Sequence, residues 1–209
     1  MNIKLIPLLI LTVAASIASK AAEPKTWEVK LRAAYLQTVD HSDAFSALGI
    51  DFARDSVVVE DKLIPEIDIA YAFTKNIVAE LVLTIPQTHD VSLNGVGSLG
   101  TLEHLPPTLS LVYEFDKFAG LTPYISGGLN FTWITDKDLS VAGVELDLED
   151  YSLGAAIGTG VTYDLNEKWK LDASVKWIDL ESDVTAGGVV LTNAQLDPFL
   201  FSFGANFSF

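Results

Sequence analysis

The chain has 209 residues, 49% hydrophobic and 20% charged, with 13 Lys and Arg against 28 Asp and Glu, a formal charge of -15 and no cysteine. That charge sign argues against nucleic acid as a partner, because phosphate binders concentrate Lys and Arg. The absence of thiols excludes disulfide frameworks, Cys nucleophiles and thiolate metal sites. The apolar content excludes a disordered chain, and no segment reaches 18 uninterrupted apolar residues, which excludes a helical membrane protein.

The first element is a targeting signal. Residues 1–4 give a short positive start, residues 5–18 an apolar stretch, and Ser19-Lys20-Ala21 the small residues that a signal peptidase reads. Residues 1–21 are expected to be a signal peptide, and residues 22–209 the mature barrel. An anchoring helix is disfavoured, since about 14 residues fall short of the roughly 20 needed to span a bilayer. An exported chain without cysteine fits the bacterial envelope.

Period-two alternation then recurs in stretches of about ten residues, the signature of half-apolar strands. In 27–36, Trp27, Val29, Leu31, Ala33 and Tyr35 share one face, and Glu28, Lys30 and Arg32 the other. The same alternation runs through 66–73, 77–85, 108–115, 124–133, 152–163, 169–177 and 199–209. Eight strands, an even number, predict an all-β fold: an antiparallel up-and-down transmembrane β-barrel. The connections alternate between short turns (74–76, 116–121, 164–168) and long segments (37–62, 86–107, 135–150, 179–196). This is the layout of short periplasmic turns and long extracellular loops.

Sidedness separates a membrane barrel from a soluble one. Large aromatics such as Trp27, Tyr35, Tyr71, Phe131, Trp133, Trp169 and Trp177 cluster near strand ends on the apolar face, where interfacial girdles belong. No charge falls on that face between them. The lumen must then hold the charges. Glu28, Lys30, Arg32, Asp68, Glu80, Glu114, Lys170, Asp172 and Lys176 are expected to pair there in an ionic network, with Glu66 also pointing inward. Nearer the outer rim, Leu36, Ile64, Val82, Ile134, Ile178 and Leu200 point inward as an apolar cup, with Leu196 beside them. An apolar cup over an ionic floor suits a small hydrophobic solute better than an ion. The bland alternative is that these side chains only fill the barrel.

Three segments resemble the outer membrane protein W family. His104-Leu105-Pro106-Pro107-Thr108-Leu109 is similar to its HLPPTL element. Residues 122–132, TPYISGGLNFT, resemble its PYxGxGxNYT strand, with Ser126 in place of the first glycine. Residues 196–209, from Leu196-Asp197-Pro198-Phe199, resemble its C-terminus. The resemblance implies an eight-stranded bacterial outer-membrane barrel that passes small hydrophobic molecules, with lateral release into the bilayer. It also implies that some members serve as colicin or phage receptors. The family's Leu and Trp gate falls here on Ile64 and on Ile178 or Trp177, of which Trp177 has outward parity.

Further partners follow from composition and termini. Phe209, ending an amphipathic strand, reads as the signal for the barrel-assembly machinery, and outer-membrane lipid and lipopolysaccharide are the surroundings. Segments 40–61, 87–106, 136–150 and 179–196 carry most of the acids against only Arg54 and Lys137, so Glu145, Asp147, Glu149 and Asp150 are a weak divalent-cation candidate. No cofactor or metal site is expected. His104 near Thr108 or Ser110 is the only base and nucleophile that can be constructed, and a rigid strand start at the two prolines explains it better. The expectation is a hydrophobic-solute transporter and not an enzyme, the alternative being a structural or receptor barrel without transport.

Overall fold

The computed structural model describes residues 26–47 and 49–209. The expected signal peptide, 1–21, lies outside the described residues. In chain order the strands are β1 (Thr26–Gln37), β2 (His41–Ser42), β3 (Phe45–Ala47), β4 (Ile50–Phe52), β5 (Val57–Val59), β6 (Lys62–Ala72), β7 (Ile77–Thr84), β8 (Gln87–Leu93), β9 (Gly97–Leu105), β10 (Thr108–Glu114), β11 (Leu121–Val141), β12 (Val144–Leu148), β13 (Tyr151–Asp164), β14 (Trp169–Ile178), β15 (Glu181–Ala186), β16 (Val189–Gln195) and β17 (Phe199–Ser208).

Eight of these close a barrel. β1 pairs with β6, and the ladder continues through β7, β10, β11, β13, β14 and β17, which returns to β1; every pairing is antiparallel. Closure leaves no free edge strand, as the interior of a bilayer requires.

The alternation in the sequence becomes an inside-out core. In β1, Glu28, Lys30, Arg32, Ala34 and Leu36 are buried, while Trp27, Leu31 and Tyr35 are exposed. The outer surface is an aliphatic belt that includes Leu31, Ile69, Leu109, Leu129, Leu153 and Ile157, all exposed. Aromatic pairs bracket it. Trp27 lies 4.8 Å from Tyr71 and Trp169 4.9 Å from Phe207 at the turn end, and Phe131 lies 5.6 Å from Trp133 at the other. Where β1 meets β17, Gly204 lets the strands approach: a Cβ there would stand 2.0 Å from the Leu31 carbonyl oxygen and 2.8 Å from Arg32 Cγ. The missing side chain leaves room for the Arg32 stem inside the lumen.

The long outer segments carry strands of their own. β11 has 21 residues, about 70 Å of extended chain, where roughly 9–11 residues span a bilayer. Its outer half continues the same sheet through further strands, ordered β5, β8, β9, β11, β12, β15, β16, β2. The ring closes when Ser42 Oγ accepts the backbone N–H groups of Ser56 (3.1 Å) and Val57 (3.4 Å). This crown extends the barrel wall outward. Its interior is apolar, from Val57, Val59, Val91, Leu93, Leu99, Leu102, Leu139, Val141 and Leu146. The hairpin β3–β4 lies over it, with Phe45 and Phe52 stacked at 4.9 Å and Phe52 buried in the same cluster.

Candidate solute-binding lumen

From the periplasmic end upward, the barrel interior changes character three times. At the lower rim Lys170 Nζ pairs with Glu28 Oε1 at 2.7 Å, and Ser208 Oγ donates to the same oxygen at 2.9 Å. Glu114 is half-buried and makes no ion pair within 4.0 Å among the described residues. Ala70, Val78, Val112 and Tyr124 form a small apolar plug.

Above the plug sits the ionic floor, with Arg32 at its centre. Its Nε lies 2.6 Å from Glu66 Oε1, its Nη1 3.2 Å from Asp172 Oδ1, and its Nη2 meets Asp68 and stands 3.6 Å from Glu80 Oε1. Lys30 Nζ pairs with Glu80, lies 3.8 Å from Asp172 Oδ2 and stands over the Tyr124 ring. Lys176 Nζ is 4.0 Å from both Glu66 and Glu80. All seven ionic side chains are buried. Strand parity forces them inward, and the narrow lumen forces them together, since an isolated buried charge costs several kcal/mol. The nine ionic residues expected to form one network fall into two tiers, with Glu28, Lys170 and Glu114 apart at the rim. Glu66, opposite Arg32 in the β1–β6 register, belongs to the main tier. Two neutral partners were not legible as such: Tyr124 OH donates to Asp172 Oδ1 (3.0 Å) and Asn206 Nδ2 to Asp172 Oδ2 (3.1 Å).

Over the floor lies a lower chamber of about 620 Å3, solvent at its mouth included. Leu36, Ile64, Ile178 and Leu200 form one buried cluster on its wall with Leu180, and Val82 is buried on another side. Ile134 stands higher and lines the crown's chamber of about 940 Å3. Val59, Leu102, His104, Thr132, Leu180 and Leu196 line both chambers, so the two adjoin. Trp177 is not part of this lumen. It pairs with Phe199 and Ile157 on the lipid face, so of the two gate positions only Ile178 faces Ile64's cluster.

The histidines lie in or beside the crown, not in loops. His89 in β8 faces Leu102 and His104 in β9 faces Gln87, so each lies two residues from the other's partner, and their rings stack at 4.9 Å. Burial pushes His89 below its usual range. Burial, with His89 and Lys62 adding to it, takes His104 down to about 3, so both are neutral at physiological pH. Among the described residues His104 Nδ1 has no hydrogen-bond partner. Thr108 Oγ1 instead accepts from Asn130 Nδ2 at 2.9 Å. Among the described residues no group of three or more His, Asp or Glu could hold a metal ion. Of the acidic candidates in the crown, Asp147 and Asp150 are both occupied by Lys137 Nζ, at 2.9 and 2.7 Å.

A closed eight-stranded wall, aliphatic outside between aromatic girdles and ionic within, defines an outer-membrane β-barrel. The chain belongs to the OmpW family, whose model matches residues 27–209. It is 32% identical over 202 residues to an uncharacterized outer-membrane protein, y4mB, of Sinorhizobium fredii (strain NBRC 101917 / NGR234), covering 94% of this chain and 86% of that one. It is 33% identical over 147 residues to outer membrane protein W of Escherichia coli (strain K12), covering 66% of this chain and 69% of that one. The crystal structure of the outer membrane protein OprG from Pseudomonas aeruginosa superposes with a TM-score of 0.76 at 24% identity, covering 90% of this chain and 98% of that one. The protein is therefore a barrel of the bacterial outer membrane, with its aliphatic belt in the lipid.

Proposed function

We propose that this barrel takes small hydrophobic solutes from outside the cell, through the crown, into the apolar chamber above the ionic floor. The observation that carries the reading is the vertical order: two adjoining chambers with mainly apolar walls, standing on a tier of paired charges that leaves no wide aqueous path. An ion entering from outside would first have to shed its water against Val, Leu and Phe side chains. A hydrophobic solute loses nothing there, because burying its apolar surface is favourable by about 25 cal/mol per Å2.

The floor blocks an axial exit, and the wall offers another. The β6–β7 ladder begins at Glu66↔Thr84, so Leu63, Ile64 and Pro65 are paired only with β1. Pro65 has no N–H to donate to a ladder. This weak seam beside Ile64 supports lateral release into the outer leaflet, as the family resemblance implies. The protein acts as a conduit. Phe209, exposed at the end of the closing strand, serves as the recognition signal for the assembly machinery, and lipopolysaccharide surrounds the outer girdle.

Uptake of a fluorescent hydrophobic probe by cells carrying the protein tests the reading. Ile64→Asp or Leu200→Asp is expected to reduce uptake several-fold at equal surface levels, while Leu31→Ala on the lipid face leaves it unchanged. Equal uptake in all three would refute transport through this lumen and leave the receptor reading.

A further inference from the structure

The crown's ring closes between β2 and β5, and a hairpin springs from that seam. β2 pairs with β16 and β5 with β8, so both belong to the wall, whereas β3 and β4 form a two-stranded sheet of their own. Both feet of the hairpin are fastened. Asp43 donates its N–H to the Asn193 carbonyl oxygen (3.3 Å), and its own carbonyl accepts from Thr192 Oγ1 (3.0 Å). Asp55 donates its N–H to the Ser42 carbonyl oxygen (3.0 Å), and its carboxylate accepts the Ser42 N–H (3.3 Å) and lies 3.1 Å from His41 Nδ1. Between the feet, the hydrogen bonds of β3 and β4 run only to each other, and among the described residues none reaches the wall. Strand alternation makes this blade two-sided. The Phe45–Phe52 pair lines the upper chamber, with Phe52 buried, while the next pair, Ser46 and Asp51, is exposed and bonded at 2.5 Å.

We infer that the β3–β4 hairpin is the entry gate of this lumen: its Phe45–Phe52 pair closes the upper chamber when it is empty and yields to an apolar solute that takes over the same contacts. This deepens the conduit reading and rests on it. The blade is tied to the crown by apolar contact alone. Such contact has no fixed direction, so another apolar molecule can replace it without loss. A blade held by ladder hydrogen bonds could not be exchanged in this way, because each bond broken would leave a donor or acceptor to be satisfied. A polar molecule offers nothing in return for the two aromatic rings, so the gate selects for hydrophobicity at the point of entry. The fastened feet keep the blade over the mouth while it moves. At the return foot Asp55 has a φ of 60°, in the left-handed region, so the chain from β4 to β5 bends sharply at one residue, as a hinge requires. The exposed Ser46–Asp51 face stays in water whether the blade is down or raised.

The test uses the full barrel refolded in phospholipid nanodiscs. The chain has no cysteine, so introduced thiols are unique. Spin labels go on Ile50→Cys in the hairpin and Val96→Cys in the β8–β9 turn, both exposed, so neither label disturbs packing. Pulsed dipolar spectroscopy is expected to give one distance without ligand and a second, longer one when octane is added. Phe45→Ala combined with Phe52→Ala is expected to populate the longer distance without octane. In a second series Leu139→Cys, on the chamber wall, reacts with a polar maleimide that does not cross lipid. Its rate is expected to rise about tenfold in the double-alanine background, as a minor open form becomes the main one. Octane entry is followed separately through the methyl resonances of Leu36, Ile178 and Leu200. If those methyls respond while the label distance stays fixed, the hairpin is not a gate and the conduit reading stands. An unchanged thiol rate in the double-alanine barrel likewise overturns the gate. Should that variant fail to fold, the octane response of the label pair with both phenylalanines in place decides alone. If octane moves no lumen methyl, the conduit reading fails and the gate fails with it.

Discussion

Replacing Arg32 with methionine probes the ionic floor at its centre. Methionine keeps most of the stem and removes a guanidinium that touches Glu66 at 2.6 Å, Asp172 at 3.2 Å, Glu80 at 3.6 Å and Asp68. The residue is 5% exposed, so water cannot substitute for it. Removing one partner of a buried ion pair costs about 3–5 kcal/mol, mostly from the charges left behind. Here four carboxylates would be left to Lys30 and Lys176, so the upper end of that range is expected. Arg32→Lys restores the charge without the fork and is expected to recover part of the loss. The assay is equilibrium unfolding in urea from lipid vesicles, followed by tryptophan fluorescence, with the compact gel mobility of the folded barrel as a second readout. An Arg32→Met barrel within about 0.5 kcal/mol of the wild type would refute the claim that this tier is a tightly paired, desolvated network.

Two further outcomes follow from the same geometry. Leu31→Arg places a charge on the lipid face midway between Trp27 and Tyr35. It is expected to destabilise the barrel by about 2–4 kcal/mol in the same vesicle assay, whereas a water-facing surface would tolerate it. His104 gives a pH dependence of fixed sign. Its native form is neutral with a pKa of about 3, against 6.5 when unfolded, so the unfolded state takes up the proton first and stability is lost as pH falls from about 6.5 toward 3. At pH 4.5 the loss relative to pH 7 is up to roughly 2–3 kcal/mol, and His104→Phe should show a correspondingly smaller drop between those two pH values than the wild type.

The barrel was legible because its strands obey a strict period of two over ten residues, which few other folds produce. Glu28, Lys30 and Arg32 alternate with Trp27, Val29 and Leu31, and that alternation fixes both strand and sidedness. The same parity turns Lys30, Arg32, Asp68, Glu80 and Asp172 inward, and Leu36, Ile64, Ile178 and Leu200 with them, all buried. The crown escaped because its strands are short, down to two residues in β2, and pair across long separations, as His41 does with Gln195. Register shifts at Val91/Ser92, Ile134/Asp136 and Val184/Thr185 also reverse the parity mid-segment, so the apolar residues lose their period. The Asp40, Asp43 and Asp55 cluster and the turn glycines then made these segments read as solvated loops. The His89–His104 stack was out of reach for the same reason, because nothing in their spacing announces a shared hairpin. Tyr124 and Asn206 had the right parity, but their bond to Asp172 depends on a cross-barrel distance that no local pattern encodes.

The most direct measurement of the central claim is where a bound hydrophobic molecule sits. In nanodiscs, intermolecular nuclear Overhauser effects from a protonated alkane to a deuterated, methyl-labelled barrel should appear at Leu36, Ile64, Ile178, Leu200 and the crown's Leu102 and Leu139, and stop above Val78 and Val112. Cross-peaks confined to the lipid-facing Leu31, Leu129 and Leu153 would contradict an internal apolar route.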